Sequence, residues 1–385
     1  MTEPTPHPIK PDASGKPAAR RVDAVRHLLK PHQVREGMAL ATQPFLHNSS
    51  LVGLQSALTT AIALPLAYLS PWPHLVGFAA LGALVALFGR LAPTASRNRI
   101  VLMCALCQIL AVLTMSTASW LGAPPAAQLI LLAFACGIFF FTTVTWQFGA
   151  PGALIFVFAA GASMGHVDSW LTVVERTAAT AVVAALAYAI CAMTEVFRRQ
   201  AMSGASFPSE SARPVGHRLI AATRIVLGSG LSAFAAYAVG AAHPAWAAMG
   251  TLAVMQGTHL HISMNRALQR MSGTVVGAVL VWMILIQAPS VWIVILLVVL
   301  LQIATEMIIG TNYALGQIMV TPMALLMSYL AAPLAAGAAM APERVMDTLL
   351  GCCIGIVLAV LFSTLDDRLH LADHHATRTG RRSQG

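Results

Sequence analysis

Charged residues are absent from five long stretches of the chain, residues 37–89, 100–167, 225–265, 271–305 and 307–342. A helix needs about 20 apolar residues to cross the hydrocarbon of a bilayer, so each stretch has room for about two crossings. Breaking the runs at proline, glycine and polar clusters predicts helices over 51–70, 75–89, 100–121, 126–146, 150–165 and 171–197. A second set follows over 219–241, 245–262, 268–287, 291–310, 316–331 and 347–364. The segments 75–89 and 150–165 are too short to cross upright and read as half-helices or as spans that borrow from their loops. The expected fold is all-α, a polytopic transmembrane bundle of about 12 helices, with ten as the alternative count.

Composition agrees with that reading. The chain is 57% hydrophobic and 10% charged, with a mean hydropathy of +0.74, values that exclude a water-soluble globular protein of this length. The polar N-terminal tail, residues 1–48, lacks the apolar core and cleavage site of a secretory signal. It is expected to be partly disordered, with a short interfacial helix over Val22–Lys30. A first six-helix membrane repeat over 49–197 is expected to join a second over 219–365 through a linker at 198–218, with a C-terminal tail at 366–385. All six cysteines lie in apolar runs, where a thiol acts as a small hydrophobe. No disulfide, metal site or cofactor is expected.

Charge orients the chain. Placing the N-terminus in the cytoplasm puts 21 of the 23 Lys and Arg residues on that side and leaves only Arg176 and Arg344 outside. That is the positive-inside bias, and it predicts a multi-pass protein of the bacterial inner membrane with both termini cytoplasmic. The net charge of +9 then reflects basic loops facing an anionic leaflet rather than nucleic-acid binding.

The two sets also match in register. Pro73 and Pro244, and Arg99 and Arg270, lie 171 residues apart, and Glu175-Arg176 recurs 168 residues later as Glu343-Arg344. An even number of spans per set makes these parallel repeats, related by an axis along the membrane normal.

The second set carries the most specific motif. It reads Pro244-Ala245-Trp246, then Met255, Gly257 and Thr258, then Arg266 and Arg270 followed by Gly273, Thr274 and Gly277 in the pattern Arg-x-x-Gly-Thr-x-x-Gly. These residues resemble the fusaric-acid-resistance-like family of inner-membrane proteins, which includes aromatic acid exporters. The first set holds a degraded version, Trp72-Pro73-His74 and Arg97-Asn98-Arg99, without the Gly-Thr-x-x-Gly. The resemblance implies export of small organic acids, with a periplasmic adaptor protein and an outer-membrane channel as partners. A homo-oligomer is equally compatible. Exporters of the family carry a sizeable soluble domain between their halves, which the 198–218 linker is too short to be.

Apart from the resemblance, Gly273 and Gly277 are four apart and permit close helix approach, with Thr274 able to hydrogen-bond nearby. Arg266 and Arg270 also share a helix face. With Arg97 and Arg99 they are candidates for an anion path at the cytoplasmic mouths of the two sets, drawing anions in by local concentration; ordinary positive-inside charge is the alternative. Glu306 is the carboxylate embedded in a strongly apolar span, where it is costly unless protonated or paired. It is the proton-coupling candidate, with Arg224 as its expected partner. Gln302, Thr305, Asn312 and Tyr313 make this the most polar corner of the bundle, able to hydrogen-bond a substrate.

No nucleotide-binding loop, zinc-protease helix or nucleophile elbow is present in the sequence, and the chain is expected not to be an enzyme. The leading expectation is a secondary transporter of small organic anions, proton-coupled through Glu306. A passive organic-anion channel and a structural membrane protein are the alternatives.

Overall fold

A computed structural model describes residues 46–198, 214–257, 260–331 and 337–363. The polar tails, the Val22–Lys30 segment, most of the 198–218 linker and Thr258 lie outside these residues. The described residues form twelve α-helices and no strands. The first set is α1 (Leu46–Leu69), α2 (Val76–Ala83), α3 (Thr94–Trp120), α4 (Pro125–Thr145), α5 (Leu154–Ala162) and α6 (Trp170–Met193). The second is α7 (Val215–Ala238), α8 (Ala245–Met255), α9 (Leu260–Leu285), α10 (Val291–Ile308), α11 (Tyr313–Ala331) and α12 (Met340–Leu361). Among the described residues nine helices are long and apolar enough to cross a membrane, the exceptions being α2, α5 and α8.

Two of the three short helices share an explanation. All eight residues of α2 are buried, as are all those of α8 except its terminal Met255. Helices of this length reach about half of a ~30 Å hydrocarbon core. A short helix with irregular ends is tolerated at membrane depth where protein rather than lipid surrounds it. One-turn 3₁₀ segments, Pro73–Leu75 and Leu84–Leu87, extend α2 at both ends. The outer helices show the complementary pattern, with exposed apolar stripes such as Leu54, Leu58 and Leu66 on α1 and Ile130, Phe134 and Ile138 on α4.

Three helix starts lie well ahead of expectation, and all bear on arginines; α12 begins at Met340 rather than 347, which puts Arg344 inside a helix. The expected span 245–262 ends at Met255, and α9 begins at Leu260 rather than 268, so Arg266 joins Arg270 within the helix and Arg270 lies in its third turn. Likewise α3 begins at Thr94 instead of 100, directly after Pro93, which places Arg97 and Arg99 inside a helix. The expected spans began after Arg97, Arg99 and Arg266, yet an arginine near a membrane surface can extend the helix and still reach polar groups.

Packing follows one order in both sets. Helix α6 packs on α2 and α3, α5 on α3, and α1 on α2; α12 packs on α8 and α9, α11 on α9, and α7 on α8. Contacts between the sets are paired as well: α10 on α1 and α4 on α7, α11 on α2 and α5 on α8. Residues 168 apart occupy matching places: Gly82 lies against the Thr180 carbonyl and Gly250 against that of Thr348.

The Gly-Thr-x-x-Gly segment of α9 is a packing surface. A Cβ at Gly273 would stand 2.5 Å from both the Ala314 carbonyl oxygen and the Gln317 Cβ of α11, and one at Gly277 would stand 2.8 Å from the Ile318 carbonyl oxygen. Thr274 is buried between them. Gly273→Leu is therefore expected to cost roughly 3 kcal/mol or more by overpacking, whereas Gly216→Leu on α7, where nothing lies within 4 Å, should change stability little. Thermal unfolding of the two variants in detergent checks this; equal midpoints would refute the packing role.

Candidate functional site

The face of the bundle on which α1 begins, here called proximal, holds a group of buried polar side chains from both sets. Helix α1 turns an unusual surface inward: Asn48, Ser49, Gln55, Ser56, Thr59 and Thr60 are all buried, while Leu54, Leu58 and Leu66 face out. Three features tie this surface to α10 of the other set. Gly53 leaves room for Glu306, whose Cβ would lie 3.0 Å from a Cβ there. Thr60 donates to the Gln302 side-chain oxygen at 2.8 Å. Towards the opposite, distal face, Tyr68 meets Trp292 edge-on at 5.6 Å.

Glu306 is 7% exposed and is held by Arg90, from the turn after α2, at 2.9 Å. Arg90 also reaches Ser49 at 3.5 Å. This corrects the expected Arg224 partner. Helix α10 packs on α1 and α11, whereas α7, which carries Arg224, packs on α4, α8 and α12. Among the described residues, Glu306–Arg90 is the one ion pair that joins the two sets. Arg97 does not face an anion path either. It is 0% exposed, donates to the Gln55 oxygen at 2.7 Å, and is bonded to Glu195 at 2.5 Å. Glu195 is held from its other side by Arg198, which in turn donates to the Ala92 carbonyl and to Thr94. Arg99 is exposed and lies over the Trp146 ring at 4.8 Å.

The expected polar corner divides among three neighbours. Gln302 and Glu306 face α1; the Asn312 side-chain oxygen accepts from the Ala314 N–H at 2.7 Å and so caps α11; Tyr313 accepts a bond from Arg270 at 3.4 Å. Thr305 is buried with its hydroxyl unpartnered. Arg266 is half-buried, and Arg270 is buried one turn further in.

At the distal face a cavity of about 680 Å³ opens between the sets, lined in part by Gln128, Phe158, Tyr237, His243, Trp246 and Met340. Two matching pairs stand at this face: His74 with Glu175 at 3.3 Å and His243 with Glu343 at 2.9 Å. Beside them Arg176 lies over Phe78 at 4.9 Å and Arg344 over Trp246 at 5.1 Å. Sequence reasoning missed the roles of Gln55, Thr60, Glu195 and Arg198. A signal for the first two was present: residues 49, 56 and 60, and 48, 55 and 59, fall on one side of a helix.

Residues 231–358 match the sequence model of a family described as fusaric acid resistance protein-like. This stretch runs from within α7 to near the end of α12, and so takes in Arg270, Glu306, Arg344 and most of the second set. A curated relative, the uncharacterized membrane protein YvaC of Bacillus subtilis (strain 168), is 32% identical over 126 residues. That match spans 33% of this chain and 20% of the relative's length. No solved structure matches the chain.

Glu195 lies just beyond α6, and its titration can be given a sign. Burial pushes its carboxyl up, but hydrogen bonds from Arg198 and Arg97, with their charges, outweigh burial and hold it below the ordinary glutamate range. A depressed folded pKa contributes stability above the unfolded value, and that stability is lost as pH falls through the folded one. Glu195→Gln should therefore cost roughly 3 kcal/mol at neutral pH, since it strands two arginines. The difference from wild type should close on acidification below about pH 4. Unfolding midpoints across that range test this; a pH-independent difference would contradict it.

Proposed function

We propose that the chain is a secondary transporter that exports small organic acids across the bacterial inner membrane, with Glu306 as the proton carrier. The observation that carries the reading is the Glu306–Arg90 pair, a buried carboxylate bonded across the seam between the two helix sets. Protonating Glu306 removes one charge of that pair and weakens the seam at the proximal face. Its proton occupancy is thereby linked to whether the sets stay together there. The distal cavity between the same sets matches a state closed proximally and open distally.

Several observations support the details. Described arginines crowd the proximal side, with only Arg176 and Arg344 towards the distal one, which favours a cytoplasmic proximal face and cytoplasmic termini. The match to fusaric acid resistance protein-like sequences over 231–358, and the motif around Arg270, favour organic-acid export. The paired packing order and the 168-residue register favour two sets descended from one duplicated six-helix unit, the arrangement in which a solute path runs between repeats. The proposed cycle makes and breaks no covalent bond, so on this reading the protein is not an enzyme. A periplasmic adaptor protein or a second copy of the chain remains a proposal for the partner.

The test is uptake of radiolabelled benzoate into proteoliposomes with and without an imposed pH gradient. A one-unit gradient can drive about ten-fold accumulation per proton. Wild type is expected to show gradient-driven accumulation, and Glu306→Gln to lose it while keeping downhill exchange. Equal, gradient-independent flux in both proteins would instead establish a passive anion channel and remove the coupling role. No flux in folded wild type would leave a non-transport membrane protein.

A further inference from the structure

The distal cavity has the size and walls of a binding site, and its chemistry is not that of an anion path. It holds about 680 Å³, within the range of small-molecule sites. Phe158, Tyr237, Trp246, Met249 and Met340 line it from both sets, together with His243, whose ring stacks on that of Trp246 at 4.3 Å. Among the described residues no Asp, Glu, Lys or Arg lines it. Two charged groups approach it only through the lining: Glu343 is bonded to His243, and Arg344 lies over the Trp246 ring at 5.1 Å. Their charges oppose each other. An anion entering the cavity therefore finds no net counter-charge, and an unpaired carboxylate is costly to take out of water.

Two polar groups of the lining are open to a ligand. Ser119, in the last turn of α3, is 5% exposed, yet its hydroxyl makes no hydrogen bond, unlike most buried polar groups. His243 is fixed by Glu343, whose carboxylate accepts from the His243 backbone N–H at 2.8 Å and lies 2.9 Å from the ring Nδ1. A carboxylate only accepts, so Nδ1 carries the proton, and the uncharged ring keeps Nε2 as a bare acceptor. A ligand hydroxyl can donate to that nitrogen or exchange a bond with Ser119, whereas a carboxylate has no proton for the nitrogen. The other buried polar side chain of the lining, Gln128, is engaged already: it donates to the Ala123 carbonyl at 3.0 Å and accepts from the Gly165 N–H at 3.4 Å.

We propose that the distal cavity binds an uncharged, flat apolar molecule bearing a hydroxyl, and that it discriminates against the carboxylate of the same shape. The molecule lies among Phe158, Tyr237 and Trp246, where ring edges and faces pack favourably, with its hydroxyl on His243 or Ser119. On the transport reading the cavity is the way out. An exported anion, meeting no counter-charge there, leaves readily, whereas the bound hydroxyl compound obstructs the exit. That consequence rests on the transport reading; the existence of the binding site does not.

The test is saturable binding of radiolabelled 2-naphthol to the full chain in nanodiscs at neutral pH, with protein-free nanodiscs to subtract partition into lipid. At that pH the phenol is uncharged, whereas 2-naphthoate, with the same rings, is an anion. Wild type is expected to bind naphthol saturably, with naphthoate competing at least about ten-fold more weakly. Ser119→Ala and His243→Phe each remove one hydrogen-bonding group and should weaken binding about five-fold. Ala242→Trp, at an exposed position of the lining, should fill the space and abolish saturable binding with the unfolding midpoint unchanged. If His243→Phe does not stay folded, Ser119→Ala and Ala242→Trp still decide the matter. His74→Phe, in the matching pair outside the lining, should bind as wild type does. Absence of saturable wild-type binding, equal competition by naphthoate, or wild-type affinity in Ala242→Trp would each overturn the site, as would wild-type affinity in both Ser119→Ala and His243→Phe. Benzoate flux in proteoliposomes separates the two proposals. Flux without saturable naphthol binding sinks the site and keeps transport, whereas saturable binding without wild-type flux sinks transport and keeps the site.

Discussion

In a bilayer an apolar side chain gains little by leaving lipid for protein, so helices are held together by close backbone approach and by polar contacts that lipid cannot supply. Much of this bundle follows from that constraint. Where α9 meets α11, Gly273 and Gly277 bring the backbone against carbonyls of the neighbouring helix. Where α2 meets α6 and α8 meets α12, Gly82 and Gly250 do the same at matching positions. The leucines that a soluble protein would bury face outward instead, and α1 buries serines, threonines and a glutamine. Because α2 and α8 are enclosed by such contacts, they can be short.

The seams between the sets obey the same rule but differ in chemistry. The seam of α4 with α7 closes on Gly137 against Ala222 and Val226, with Arg218 donating to Thr145 at its end. The seam of α1 with α10 has a glycine too, but the side chain that fills the space is Glu306. One seam is thus joined by neutral packing and a charge-to-hydroxyl bond, the other by a full ion pair whose strength depends on a proton. A rigid-body motion of the two sets loads both seams, and only the second carries a carboxylate, near its proximal end.

The fold was largely legible in the sequence because runs without charge are hard to interpret any other way, and all twelve helices overlap the expected spans. The helix starts at Thr94 and Leu260 were not legible, because arginines mark the end of an apolar run without marking the end of a helix. The site was legible only in its residue types. Glu306 stood out by charge, but its partner depended on which helices touch. Consecutive numbering offered no sign that α10 lies beside α1 and the α2 turn rather than beside α7. Arg97 looked no different from Arg99, the register partner of Arg270, all lying near the start of the third helix of a set. What distinguishes them is Glu195, at the far end of the first set, which no local pattern connects to residue 97.

That last difference bears on how the two sets divide their work. In the first set Glu195 and Gln55 meet Arg97, and Glu195, Thr94 and a carbonyl meet Arg198. Networks of this kind rigidify a core. In the second set Arg270 and Arg344 keep donors unpaired at similar burial, which is destabilising unless something else meets the need. A mismatch that recurred in both sets would read as a cost inherent in the framework. Unpaired guanidinium nitrogens do occur in both sets, on Arg97 and Arg176 as on Arg270 and Arg344, so what separates the sets is the Glu195 carboxylate that answers Arg97 and Arg198 near the proximal face.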